Sequence, residues 1–155
     1  MSFKTLNTNL VALINAITAV ELGQVVARPT FDFNSFPGVF VAESGNENEY
    51  DSTQDNLRTY AFNIWVFTKY EDSGATIDEA YETLRETVDA IIDALDEQES
   101  PNSDRSLADN LASNQTLTSV VAQPSRFAYD DVEKLIGAQI NVRLRVLVDL
   151  TQITP

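Results

Sequence analysis

The stretch Leu57-Arg-Thr-Tyr-Ala-Phe-Asn-Ile-Trp-Val-Phe-Thr-Lys69 decides the fold of this chain. Tyr60, Phe62, Ile64 and Val66 alternate with Thr59, Ala61, Asn63, Trp65 and Phe67, the two-residue period of a β-strand. A Glu-Asp-Ser-Gly turn follows, and from Thr76 to Leu95 the apolar period lengthens to three or four residues. There Ile77, Ala80, Tyr81, Leu84, Val88, Ile91, Ile92 and Leu95 form the buried stripe expected of an amphipathic helix. Thr76-Ile-Asp-Glu79 is a capping-box pattern, in which Thr and Glu side chains satisfy free backbone donors. Asp78, Glu79, Glu82, Glu86, Asp89, Asp93 and Asp96 lie outside the stripe as a solvated face. With both strand faces partly apolar, helices are expected on one side and a partner on the other.

Outward from this centre, Phe3 to Leu22 reads as a first helix, its stripe running Phe3, Leu6, Leu10, Leu13, Ile14, Ile17 and Val20. Gly23 would close it in a left-handed conformation. Val25-Val-Ala is a candidate edge strand, Phe31-Asp-Phe33 alternates again, and Val39 to Ala42 is a short strand after Pro37-Gly38. Glu43 to Asp55 is polar throughout and reads as an exposed hairpin loop of unusual length. Asp96 to Asp104 reads as a second polar loop, with a helical turn within Ser106 to Ser113. Thr116 to Val121 reads as a short strand. Phe127 to Ile136 leaves a bulged strand and a connecting loop open. From Gly137, Ala138, Ile140, Val142, Leu144, Val146 and Val148 alternate with Gln139, Asn141, Arg143, Arg145 and Asp149, a long strand with one buried and one polar face. Thr151 to Pro155 forms a short tail. The expectation is one α+β domain over residues 1–155: an antiparallel or mixed sheet packed against two main helices.

Composition narrows the function. The chain has 155 residues, 24 acidic against 10 basic, no cysteine and no histidine, and a net charge of −14. Such a field repels phosphate and argues against general nucleic-acid affinity. Without His or Cys there is no Ser-His-Asp triad, no cysteine nucleophile and no ordinary zinc site. Phosphate-cradling glycine loops, a nucleophile elbow and a dinucleotide fingerprint are likewise missing. The acids Glu43, Glu47, Glu49 and Asp51, or Asp130, Asp131 and Glu133, do not follow a calcium-loop order. Paired carboxylates could cleave a glycoside only in an aromatic-lined cleft, which Trp65 alone does not make. Asn114-Gln-Thr116 fits a glycosylation sequon but lacks a secretory signal. The expectation is a non-enzyme with no cofactor and no metal, and neither signal peptide nor membrane span, in aqueous, cytoplasmic surroundings.

Two readings of Arg143 and Arg145 stay open. They could pair with acids across the sheet. Alternatively they could receive an acidic loop of a neighbouring subunit, with Glu47, Glu49 and Asp51 as candidate contacts, a head-to-tail arrangement that closes rings.

The layout of Phe3–Leu22, Tyr60–Phe67 leading into Ile77–Leu95, and Gly137–Leu150 resembles the tail terminator family of tailed bacteriophages, also called tail completion or head-tail joining proteins. The resemblance covers around half the chain and rests on element order rather than on a motif. It implies a structural virion protein, assembled in the host cytoplasm, forming a homo-oligomeric ring, a hexamer, on the head-proximal end of the tail tube. Such a ring stops tube growth, joins tube protein to neck or head-completion protein, and lets DNA through its lumen without specific binding. Alternatives are another neck or tail-tube subunit, or a small acidic protein-binding module.

Overall fold

A computed structural model describes residues 2–20, 23–30, 32–49, 55–70, 76–98, 106–130 and 133–150. Helix α1 spans Ser2–Asn15 and is followed by a 3-10 turn, Thr18–Val20. Strands β1 (Gln24–Val26), β2 (Gly38–Glu49) and β3 (Asp55–Lys69) lead to helix α2, Ile77–Glu97. A second 3-10 turn, Ser106–Ala108, precedes β4 (Gln115–Asp130) and β5 (Leu135–Asp149). The five strands form one sheet in the order β1-β2-β3-β5-β4. Only β1 runs parallel to its neighbour, so the sheet is mixed and the fold is α+β.

The alternation read from the sequence of β3 and β5 is what builds the core. Phe62, Ile64, Ile140, Val142 and Leu144 are buried from strand positions that share one face. Leu6, Leu10 and Ile14 of α1 and Leu84, Ile91 and Leu95 of α2 are fully buried in the same cluster. Both helices therefore cover one face of the sheet. Each of these side chains contributes roughly 1.5–3 kcal/mol by leaving water. The cap of α2 is as expected: Thr76 has extended backbone and its Oγ1 accepts from the Glu79 amide at 3.2 Å. Ile77, assigned to the buried stripe, is the first residue of α2 and is instead 39% exposed. Asn9 fixes α1 to the second 3-10 turn, its Nδ2 donating to the carbonyls of Leu107 (3.0 Å) and Asp109 (2.7 Å).

Several boundaries differ from the expectation. Helix α1 ends at Asn15 rather than Leu22; the apolar spacing continues, but Ile17 and Val20 pack from a 3-10 turn. Gly23 is not a left-handed cap. A Cβ there would lie 2.1 Å from the Pro37 carbonyl oxygen, which accepts from the Gln24 amide, so close approach explains the glycine. The polar stretch expected as a loop over 43–55 is strand through Glu49, because a ladder to β3 holds its backbone whatever its side chains. Residues 50–54 lie outside the described residues. In the second expected loop, Asp96 and Glu97 belong to α2, and 99–105 lie outside the described residues. Of the ambiguous 127–136 segment, residues 127–130 are regular ladder continuous with a strand expected only over 116–121. The bulges of that strand lie upstream of them, Leu135 and Ile136 open β5, and 131–132 lie outside the described residues. The tail at 151–155 lies outside the described residues.

The face of the sheet away from the helices is covered at one end by the chain itself. Residues 27–37 must return from the end of β1 to the start of a parallel β2, and along that path Phe33 is buried against Phe40 and Phe67. Asp32 and Phe33 are not strand, although they alternate in sequence.

Candidate functional site

The remaining part of that open face carries the arginines singled out from the sequence. Arg143 and Arg145 are exposed on β5. Their register neighbours are Ala61 and Val121 for Arg143, and Thr59 and Ser119 for Arg145. None is acidic, so the expected pairing with acids directly across the sheet does not occur. Among the described side chains neither guanidinium is in an ion pair. Glu47 pairs through its backbone with Thr59, which pairs with Arg145, so the two backbones stand two strands apart in one row, roughly 10 Å. Glu49 pairs with Leu57, the partner of Leu147. Asp51 lies outside the described residues.

Further along the open face the fold gathers residues that sequence spacing did not connect. Trp65 stacks with Phe67 at 5.8 Å between ring centroids and 11° between planes. The Arg126 guanidinium lies 5.8 Å from the Trp65 ring centroid, within cation–π range. These side chains, with Ala128, Leu135 and Gly137, line a groove of about 450 Å³. Gly137 keeps it open in part because a Cβ there would come within 2.8 Å of the Phe67 ring. The aromatic periodicity of β3 signalled core, and only the pairing of β4 with β5 revealed that Arg126 reaches Trp65.

Beside the groove, β4 is an edge of the sheet. Every residue from Gln123 to Asp130 is exposed, and Phe127 and Tyr129 are each 51% exposed. Tyr129 is held by Tyr70, with stacked rings and hydroxyl oxygens 2.8 Å apart. Two bulges, between Leu117 and Ser119 and between Pro124 and Arg126, interrupt its ladder, a common way to blunt an edge against indiscriminate pairing.

Asp130, from the later acid cluster, accepts from the Glu133 amide at 3.1 Å, a turn-closing contact. Among the described residues no three acidic groups converge as a metal site would need, and no helix is long and apolar enough to cross a membrane. The open face presents cationic groups, an aromatic groove and an exposed strand edge. No protein-family model matches this chain, and no curated protein has significant sequence similarity to it.

Proposed function

We propose that this chain is a structural subunit of a phage virion, forming a ring at the head-proximal end of the tail tube that ends tube growth and joins tail to head. The observation that carries this reading is the open sheet face, where Arg143 and Arg145 are exposed and have no ion pair among the described side chains, on a chain of net charge −14. An acidic protein that displays arginines with no acid directly opposite on either adjoining strand is suited to meet another acidic surface, and copies of itself supply one. The order of elements, an N-terminal helix, paired strands, a helix after the apolar 15-residue strand β3 and two returning strands, is in keeping with the resemblance to tail terminators. That resemblance supplies the six-fold ring and the tube and neck partners.

The test is native mass across a concentration series, with negative-stain imaging of the heaviest species and addition of purified tail tubes. A closed ring with a central hole that caps tube ends is expected. A protein that stays monomeric both alone and with tube ends would remove the reading. A second reading, a small acidic protein-binding module, is favoured by the Trp65 groove; it predicts a monomer that binds a cellular protein in a manner lost on Trp65→Ala.

A further inference from the structure

We infer that the arginine row of the open sheet face binds the acidic flank of α2 in a second copy of this chain, a contact that rests on the ring reading for its closure and names the surfaces that would make it. The chain has only ten basic residues, yet Arg126, Arg143 and Arg145 all belong to this face. Arg126 pairs with Gln139, six residues along β5 from Arg145, so the row extends about 20 Å.

The flank of α2 matches it. Glu82, Glu86, Asp89, Asp93 and Asp96 are all exposed, at intervals of four, three, four and three residues, which places them in one line along the helix. That line is about 21 Å long. Arg143 and Arg145 stand roughly 6.7 Å apart along their strand, and acids four residues apart on a helix about 6 Å, so two arginines can meet two acids together.

Two further observations favour a second copy as the occupant. The last turn of α2 has no basic residue, and Asp93 and Asp96 stand at the negative end of the helix dipole. That placement costs the isolated helix stability and is relieved by cations from outside. Moreover, both helices cover one face of the sheet and the arginines belong to the other. One copy therefore cannot bring its own two surfaces together. A two-fold pairing of identical faces would set like charges against each other, so the complementary contact is head-to-tail.

The test uses two sets of exposed substitutions: Arg143→Glu with Arg145→Glu, and Glu86→Lys with Asp89→Lys and Asp93→Lys. Circular dichroism checks that each variant folds, and sedimentation velocity measures association between about 0.05 and 0.5 M salt. Each variant alone should raise the dissociation constant roughly tenfold or more. An equimolar mixture should recover assembly, because each reversed surface then faces a reversed partner and each native surface a native one. Folded variants that assemble as the wild type does, or a mixture that fails to recover, would overturn the inference. So would wild-type binding to duplex DNA that the arginine variant loses. Rings indifferent to both reversals would keep the ring and discard this contact. Open stacks that respond to both would keep the contact and discard the ring. A wild type monomeric throughout would discard this contact, and the ring as well if tail-tube ends also fail to assemble it.

Discussion

Replacing Gly38 by alanine should cost this protein stability only because of Phe33. A Cβ on Gly38 would lie 2.4 Å from the Phe33 Cγ and 2.6 Å from both Cδ atoms. Those atoms are the root of the ring, which cannot swing aside as a flexible tip could, so the ring must leave its seat. Phe33 is 8% exposed and completes the small cluster with Phe40 and Phe67. Truncating it to alanine should cost about 3 kcal/mol, the low end for a buried phenylalanine. Gly38→Ala alone should lose a similar amount, less about 0.5–1 kcal/mol regained because alanine restricts the unfolded chain, leaving about 2–2.5 kcal/mol. With Phe33→Ala already made, the clash is gone and only the gain remains, so the double variant should lie about 2–2.5 kcal/mol below wild type. The singles would sum to about 5–5.5 kcal/mol, giving a coupling of about 3 kcal/mol. Urea denaturation followed by circular dichroism and by the fluorescence of Trp65, the single tryptophan, measures all four corners of the cycle. Each kcal/mol should also move Tm by about 2–4 °C in a chain of this size. Additive losses would show that the ring is not seated over Gly38 and that the return segment does not close this end of the sheet.

Other outcomes follow from single contacts. Thr76→Ala removes the side-chain acceptor of the Glu79 amide and should cost about 1 kcal/mol in urea, with Thr76→Ser restoring most of it. Asn9→Ala leaves the carbonyls of Leu107 and Asp109 without their shared donor and should cost about 1–3 kcal/mol, with faster amide exchange around the second 3-10 turn. Asp93→Lys with Asp96→Lys should stabilise the monomer by up to about 1 kcal/mol through the helix dipole while weakening self-association, opposite signs measurable by thermal unfolding and sedimentation.

The parts of this fold that were legible are those whose side chains obey one period from end to end. β3, α2 and β5 each bury one face against a continuous core, so their patterns survive in the sequence. β2 was cut short at Ala42 because Glu43 to Glu49 are polar; the ladder to β3 needs only backbone groups there. β4 was read over a fraction of its length because each bulge inserts an unpaired residue and restarts the alternation. The first helix was overextended because a 3-10 turn can keep Ile17 and Val20 apolar and packed without further α-helix. For the candidate site, alternation along β5 put Arg143 and Arg145 on the polar face. Their non-acidic neighbours came from strand order, a long-range property that no local pattern encodes. Trp65 and Arg126 met for the same reason, 61 positions apart in the chain by the difference of their numbers.

The bulge between Pro124 and Arg126 also bears on how this chain can vary. Beyond it, Arg126 and Ala128 lie opposite Gln139 and Gly137, while Phe127 and Tyr129 lie opposite Ala138 and Ile136. Loss of Ser125, the extra residue, would remove the irregularity and leave every later residue of β4 opposite its present partner, with Arg126 still beside Gln139. Loss of a residue beyond the bulge, Phe127 for instance, has no spare position to absorb it and would turn the rest of the strand through to the other side. Ala128 would leave the groove and Tyr129 would swing onto it. A single-codon deletion is therefore tolerable at the bulge and turns the end of the strand inside out past it. Lineages descended from this sequence should hold the length of 126–130 more strictly than that of 124–126.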